Sequence, residues 1–420
     1  MTAEIGVLNT IGVALAADSA VTIGSKKIFN SADKLFSLSK HHPIGIMVYG
    51  NANFMGVPWE TIIKMYRKQL QDNCFDTFQE YCDDFFSFFI NEQRFIDKEY
   101  EKVMIREKFS KFMRPFLSIV NDTLTEIFQN RKPSITNVQD VIFGEADHFA
   151  RLYSNVKFSE GFNDAFINTF STEHSDVVLQ VTDQYVNVSI DQDTFLRFIL
   201  IASSLVSKDI MNDEDTGIVF AGFGESEIFP SLKSYMVEGV YDGVLKYKEH
   251  EDVKISATNT ACIVPFAQQE MVHSFLTGIE PDLKKEIRHM FDTMVNSYPE
   301  IADTVLEGAV SDDQKQEIRT IGRSMVDDFN AALQEMIERK YSDPIIGTVS
   351  ALPKEELAAM AEALVNLTSI KRKMSNQMET VGGPIDVAVI SKGDGFIWIK
   401  RKHYFSPDLN HSYFNNYMER

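Results

Sequence analysis

Three side chains near the start of the sequence are of types that could carry out acyl transfer. Thr2, Asp18 and Lys34 are separated by sixteen residues each time. A threonine hydroxyl attacks a carbonyl well only when a base removes its proton. If Met1 is removed, residue 2 gains a free α-amine, and such an amine, with an ordinary pKa of about 7.7–8.0, can act as that base. A charged lysine close by would favour the neutral amine, and the aspartate would supply the counter-charge that a buried lysine needs.

Each of these residues also has an ordinary structural explanation, so their role depends on the elements that hold them. Short apolar segments separated by turn residues predict four strands in the first fifty residues: 2–9, 12–18, 34–39 and 44–49. Thr2 and Lys34 begin two of these strands, and Asp18 ends the strand between them. The sequence therefore predicts that short strands position all three side chains.

Beyond residue 50 the period of the hydrophobic pattern changes in blocks. Residues 58–210 and 268–378 are mostly helical in pattern, and phenylalanines recurring between residues 75 and 116 indicate a buried helical face. Further strands are predicted between and after these blocks: 217–224, 233–248 with a turn at Asp242-Gly243, 255–264, 384–392 and 395–400. The alternating pattern of 176–189 predicts a hairpin inside the first helical block.

The order of these elements predicts an α+β protein in which two mostly antiparallel sheets pack between helical layers. No Gly/Ser linker, internal repeat or clear boundary flanks either helical block. Residues 2–420 are therefore predicted to be a single domain. Its core strands occupy about 2–57, 217–265 and 384–401, and its helical insertions occupy about 58–210 and 268–378.

Four segments resemble a known family. TAEIGV (2–7), GVALAADS (12–19) and ADKLF (32–36) are similar to the start of proteasome β-subunits and of their bacterial single-ring relatives, and GGPIDVAV (382–389) resembles the Gly-Gly strand of the same family. The resemblance implies the four-layer αββα sandwich of the N-terminal nucleophile (Ntn) hydrolase superfamily, here with enlarged helical insertions. It identifies the chain as a bacterial proteasome homologue.

The same resemblance implies a set of site residues. Counted from Thr2, Asp18 and Lys34 fall at the spacing of the family's catalytic Asp and Lys, and Gly50 resembles the glycine whose backbone N–H forms the oxyanion hole. The implied walls of the substrate pocket are all apolar: Val21, Ala32, Val48 and Ala52. Two polar Ser-Gly elements of the family have no match here, and Glu379 and Thr380 are the candidates to replace them.

Composition excludes several kinds of partner and cofactor. The formal charge is −20, which disfavours nucleic acid and anionic membrane as partners. The three cysteines, Cys74, Cys82 and Cys262, show no CxxC spacing and suit a reducing cytoplasm. No membrane span or signal peptide is evident. His41 and His42 are adjacent and have no third ligand at a suitable spacing, so neither a metal site nor a cofactor is predicted.

These features predict a cytoplasmic threonine-type Ntn hydrolase that cleaves peptide or other amide bonds through an acyl-Thr2 intermediate. The resemblance implies a homo-oligomeric compartment, a peptide or protein substrate, and room for an activator or unfoldase, with the long helical blocks making subunit contacts or covering the chamber. Two alternatives stay open. An inactive proteasome-fold assembly or binding protein is favoured by the missing Ser-Gly elements, and a small-molecule Ntn amidase is favoured by helical blocks that could close a pocket.

Overall fold

The structure is a computed structural model that describes residues 3–23, 27–129, 131–212, 215–374 and 381–418. The strands are, in chain order, β1 (Ala3–Asn9), β2 (Gly12–Ala17), β3 (Val21–Ile23), β4 (Lys27–Phe29), β5 (Leu35–Ser37), β6 (Ile44–Tyr49), β7 (Asn53–Phe54), β8 (Val57–Pro58), β9 (Thr216–Gly222), β10 (Ser231–Tyr241), β11 (Val244–Lys254), β12 (Ala261–Ala267), β13 (Asp386–Ser391) and β14 (Gly395–Lys400). The predicted site residues Thr2, Glu379 and Thr380 lie outside the described residues.

Helices make up most of the remaining regular structure. They are α1 (Trp59–Leu70), α2 (Phe78–Asn91), α3 (Lys98–Phe128), α4 (Ile135–Ser154), α5 (Asp164–Glu173), α6 (Ser175–Tyr185), α7 (Gln192–Ser207), α8 (Glu270–Thr277), α9 (Pro281–Val305), α10 (Asp312–Ile337), α11 (Asp343–Val349), α12 (Lys354–Met374) and α13 (His411–Met418), with a π-helical turn at Glu338–Ser342 between α10 and α11. Within the described part of the chain, no helix is both long enough and apolar enough to cross a bilayer.

The predicted hairpin at 176–189 is wrong, because most of that segment forms α6. Val177, Val178, Val181 and Thr182 are buried, at the spacing of one helical face rather than of alternate strand residues. The turn predicted at Asp242-Gly243 is confirmed. Both residues have a positive φ, of 48° and 79°, which suits the tight connection between β10 and β11.

The chain divides into two compact units. The first contains Met1–Met47, Ala221–Leu232 and Val253–Arg420. Its five-stranded antiparallel sheet has the order β12-β1-β2-β13-β14. Alternate strand residues such as Ile5 and Ala16 lie on one face of this sheet and pack against α12, in a cluster that also holds Leu357, Ala361 and Val365. In the same unit β5 pairs antiparallel with β6.

The second unit contains Val48–Phe220 and Lys233–Asp252, and so holds helices α1–α7. Its core is rich in aromatic rings, and Phe109, Phe116 and Phe198 pack edge to face within it. The expected burial of the phenylalanines between residues 75 and 116 is confirmed, and five of them are at most 1% exposed: Phe78, Phe85, Phe89, Phe109 and Phe116. The strands of this unit follow the order β11-β10-β9.

The α+β class with antiparallel sheets is therefore confirmed. The stacking of two sheets into a four-layer sandwich and the organisation as a single domain stay predictions.

Candidate active site

The ion pair between Asp18 and Lys34 is the centre of the candidate site. Asp18 directly follows β2 and Lys34 directly precedes β5, so both sit where a strand ends or begins. Lys34 Nζ lies 2.6 Å from Asp18 Oδ1, and both side chains are almost fully buried. Two opposite charges in a dry site at this distance hold each other strongly, and each would be costly without the other. The structure therefore brings these two predicted residues together, whereas their catalytic role stays a prediction.

The carboxylate of Asp18 also organises the backbone around it. Its Oδ1 accepts a hydrogen bond from the Ala3 N–H at 3.2 Å, and its Oδ2 accepts from the N–H groups of Ala20 (3.3 Å) and Gly382 (3.0 Å). The Asp18 N–H in turn donates to the Ala3 carbonyl at 3.1 Å. One buried carboxylate thus joins the first residue of β1, its own turn and the segment that leads into β13.

Glu4 is a site residue that the sequence analysis missed. It lies in β1, opposite Ala17 of β2 and Phe266 of β12, and it is fully buried. Neither of its carboxylate oxygens has a hydrogen-bond partner among the described residues. Burial raises the pKa of Glu4 well above its ordinary value, the negative charge of Asp18 raises it further, and the positive charge of Lys34 opposes both. Burial therefore favours the neutral, protonated carboxyl.

A signal for Glu4 was present in the sequence. It is the one charged residue in the strand AEIGVLN, where the face that it shares with Gly6 and Leu8 is otherwise apolar. A charged side chain inside a fully buried strand is uncommon unless it has a specific partner or function.

Lys402 supports the segment that carries Lys34. Its Nζ contacts Asp386 of β13 and lies 3.1 Å from Asp33, and its backbone N–H donates to Asp386 Oδ1 at 2.8 Å. Asp33 directly precedes Lys34, so Lys402, which forms a buried pair with Asp386 and a partly exposed pair with Asp33, attaches that segment to the strand beside β2.

Gly50, the predicted oxyanion-hole residue, belongs to the second unit. Its φ of +80° is in the left-handed region, and a Cβ at this position would lie 2.3 Å from the carbonyl oxygen of Asp215. Glycine is therefore required at this bend for backbone reasons alone. The role of its N–H in catalysis stays a prediction.

The four predicted pocket residues are divided between the two units. Val21 and Ala32 belong to the first unit and are half-buried. In the second unit Val48 is buried in β6 and Ala52 is exposed. The pocket that they were predicted to line stays a prediction.

Solved structures of Anbu proteins are similar to this chain over nearly its whole length. A Gly-1 mutant of Anbu from Hyphomicrobium sp. strain MC1 is 9% identical, with 100% of this chain and 96% of that chain covered and a TM-score of 0.31. Anbu from Yersinia bercovieri, described as an ancestral beta-subunit, is 10% identical, with 99% and 94% covered and a TM-score of 0.29. The helical assembly of the Anbu complex from Pseudomonas aeruginosa is 8% identical, with 99% and 94% covered and a TM-score of 0.28.

Scores this low carry no argument about the fold or the chemistry of this chain. No protein-family model and no curated protein matches it. The identification of the chain as a proteasome β-subunit relative and bacterial proteasome homologue is therefore wrong, because no family model supports it and these similar structures are Anbu proteins. The argument for function rests on the site itself.

Proposed function

We propose that this chain is a hydrolase of amide bonds that uses Thr2, freed as the N-terminal residue, as its nucleophile. The observation that supports this most is the buried ion pair of Asp18 and Lys34, whose carboxylate accepts a hydrogen bond from the N–H of Ala3. That nitrogen is joined by one peptide bond to residue 2. Thr2 is therefore covalently joined to a residue, Ala3, that is hydrogen-bonded to the buried Asp18–Lys34 pair.

The proposed reaction is acyl transfer through an ester. The hydroxyl oxygen of Thr2 attacks the substrate carbonyl carbon while the free α-amine of Thr2 takes the hydroxyl proton. The ammonium of Lys34 favours the neutral form of that amine and stabilises the developing alkoxide, and Asp18 compensates the charge of Lys34. The α-amine then gives its proton to the leaving amine, and water, activated by the same amine, releases the acid from Thr2.

The backbone N–H of Gly50 is the proposed donor to the oxyanion of the tetrahedral intermediate. Removing one such donor typically costs about 3–4 kcal/mol of transition-state stabilisation. Because glycine has no side chain to replace, the contribution of this N–H has to be inferred from inhibitors that mimic the oxyanion.

Glu4 has a proposed part in the charge balance of the site. An ionised Glu4 would place a second carboxylate within the field of Lys34 and compete with Asp18 for it. A protonated Glu4 leaves one cation and one anion in the buried site and adds a hydroxyl donor. Glu4 is thus proposed as a positioning residue rather than as a base.

The proposed substrate is a peptide with an apolar side chain before the cleaved bond, because Val21, Ala32, Val48 and Ala52 are all uncharged. We further propose a homo-oligomer in the cytoplasm, with an activator or unfoldase as a further partner. Exposed apolar side chains along α9 support self-association: Leu283, Met290, Met294, Ile301 and Val305.

The experiment that tests this function compares the native chain with Thr2→Ala and Thr2→Ser. The native chain should have the mass of a protein that begins at Thr2, react with a peptide epoxyketone and cleave fluorogenic peptides with apolar residues. Thr2→Ala should lose labelling and turnover with an unchanged melting temperature, and Thr2→Ser should keep part of both. Turnover in Thr2→Ala equal to that of the native chain would overturn the mechanism. A correctly processed native chain that neither reacts nor cleaves would favour the inactive assembly or binding protein.

A further inference from the structure

A second group of chemistry-bearing side chains lies in the second unit, where three elements meet. Glu101 is in the first turn of α3, His174 lies between α5 and α6, and Asp242 begins the turn from β10 to β11. His174 Nε2 is 3.3 Å from Glu101 Oε1 and 3.6 Å from Asp242 Oδ2. One nitrogen or oxygen atom from each residue lies within 4.8 Å of the other two. Residues far apart in the sequence thus converge on one point.

The imidazole of His174 is buried beside the carboxylates of Glu101 and Asp242 and makes no hydrogen bond of good geometry among the described residues. Its side chain is 5% exposed and that of Glu101 is 3% exposed. Neither ring nitrogen has a hydrogen-bond partner among the described residues, and the same is true of Asp242 Oδ2. Buried polar groups in native proteins are nearly always paired, and an unpaired one costs about 1–3 kcal/mol. Two of these atoms, His174 Nε2 and Asp242 Oδ2, lie 3.6 Å apart, and a cation bound by both would satisfy them.

The backbone around the cluster fixes its carboxylates. The N–H of Asp242 donates to Glu101 Oε1 at 3.1 Å, and Asp242 has a φ of +48°, in the left-handed region. The ring of Phe170 lies 5.0 Å from that of His174 and covers one side of it. The side chain of Asp242, at 15% exposed, is the most accessible of the three.

We propose that Glu101, His174 and Asp242 bind a divalent transition-metal ion of the zinc class. Ligand atoms about 2.1 Å from a tetrahedral zinc ion are about 3.4 Å apart, which is close to the two measured separations. Two carboxylates and a neutral imidazole balance the charge of a divalent cation, whereas a protonated imidazole would leave the group with a net negative charge. The imidazole ligand favours zinc, manganese, iron, cobalt or nickel over magnesium and calcium.

The bound ion would join three elements that are otherwise distant in the sequence. It would fix the start of α3, the junction of α5 and α6, and the β10–β11 turn to one another. This site lies wholly within the second unit, whereas Asp18, Lys34 and Glu4 lie in the first, so its role is stabilisation of the fold. Metal that binds only the folded chain raises its stability by mass action.

The test uses the full-length chain stripped with a chelator and titrated with Zn²⁺, Mn²⁺ or Mg²⁺ alone. Zn²⁺ should bind with a stoichiometry of one tight site per chain and raise the melting temperature by several degrees, and Mg²⁺ should not. His174→Asn should lower the Zn²⁺ affinity at least tenfold and abolish the melting shift. His250→Asn is the matched control, because His250 is an exposed histidine 3.8 Å from Glu251 in the same unit, and it should leave both measurements unchanged.

A spectroscopic measurement on the unaltered chain keeps the test valid if His174→Asn fails to fold. Co²⁺ should give visible absorption bands of a low-coordinate nitrogen and oxygen site, at one equivalent, that Zn²⁺ removes. The absence of tight Zn²⁺ binding and of these bands would overturn the proposal. So would a folded His174→Asn variant that binds Zn²⁺ as the unaltered chain does.

Discussion

Glu4 is the residue whose ionisation should be visible in the stability of the protein. Its pKa is raised in the folded chain by burial, whereas the unfolded chain releases the same proton near the ordinary value of 4.5. Above that pH the folded state therefore holds more protons than the unfolded state, and the free energy of unfolding decreases as pH rises. The slope is at most about 1.4 kcal/mol per pH unit and ends at the folded pKa.

We expect Glu4→Gln to remove this dependence. Glutamine has nearly the same shape and no proton to lose, so the variant should gain stability over the native chain as pH rises above 4.5. Urea unfolding measured at several pH values between 4.5 and 8 provides the comparison. A difference between the two proteins that stays constant across this range would show that Glu4 ionises alike in the folded and unfolded chains.

Replacing Asp18 of the buried ion pair should lower the free energy of unfolding. Asp18→Asn keeps the size of the side chain but leaves the ammonium of Lys34 buried without a counter-charge and weakens the acceptor for the N–H of Ala3. Breaking a buried pair in this way costs about 3–5 kcal/mol. The variant should also lose labelling by a peptide epoxyketone, because the proposed mechanism needs the charge of Lys34 to be held in place by Asp18.

Asp33→Asn is the matched control for that prediction. Asp33 is partly exposed and shares Lys402 with Asp386, so Lys402 keeps a partner in the variant. We expect Asp33→Asn to lower the free energy of unfolding, measured with denaturant, by less than about 1 kcal/mol. Its labelling by the peptide epoxyketone should be unchanged. If Asp18→Asn and Asp33→Asn lowered the free energy of unfolding equally, burial of the Asp18–Lys34 pair would contribute nothing beyond an exposed ion pair.

At the scale of elements, the sequence predicted the strands that carry the ion pair because their residue types agree with their burial. β1, β2 and β6 are short apolar segments ended by turn residues, and each is nearly or completely buried. The β3–β4 hairpin was not predicted, since its three-residue strands are too short to show a period. The ion pair of Lys402 and Asp33 was not predicted either, because the two residues are 369 positions apart and no local sequence pattern indicates their contact.

The segment that became α6 was misinterpreted for a different reason. Valine and threonine favour strands, and their alternation with polar residues between 176 and 189 matches a strand as well as a helix. Packing decides between the two. Val177, Val178 and Val181 fill the core beside Phe170, and the spacing of these valines fits only a helical face.

This difference can be tested with two aspartate substitutions. Val181 is fully buried, whereas Leu179 is 45% exposed. In the helix, Val181→Asp should cost more than about 3 kcal/mol because it buries an unpaired charge, and Leu179→Asp should cost less than about 1 kcal/mol. In a hairpin the two side chains would share a face and both variants would be similarly affected. Thermal or urea unfolding of the two variants distinguishes the cases.

At the scale of the whole molecule, the surface combines two opposing features. A formal charge of −20 keeps copies of the chain apart over long distances, and this repulsion is screened by salt. Six large apolar side chains nevertheless remain exposed on α9: Leu283, Met290, Met294, Tyr298, Ile301 and Val305. The sequence alone did not show which apolar residues of the second helical block stay exposed, because that depends on how α9 packs against α10.

The apolar stripe on α9 gives the oligomer proposal a specific test. On an ideal helix Leu283, Met290, Met294, Ile301 and Val305 fall within about 60° of one another, so they form one continuous face. A face of this kind becomes stable in water when a second apolar surface covers it. We therefore expect light scattering at micromolar concentration to show an oligomer. The substitutions Met290→Glu and Ile301→Glu together should weaken the affinity between subunits at least tenfold.

His289→Glu and Asn296→Glu together are the matched control, because both residues are exposed on the other side of α9 and their replacement adds two negative charges without altering the stripe. An equal effect of the two pairs would show that net charge, and not this face, controls association. A native chain that scatters as a single monomer would remove the compartment from the proposal, and the small-molecule amidase would then be the better account of a site built from Thr2, Asp18 and Lys34.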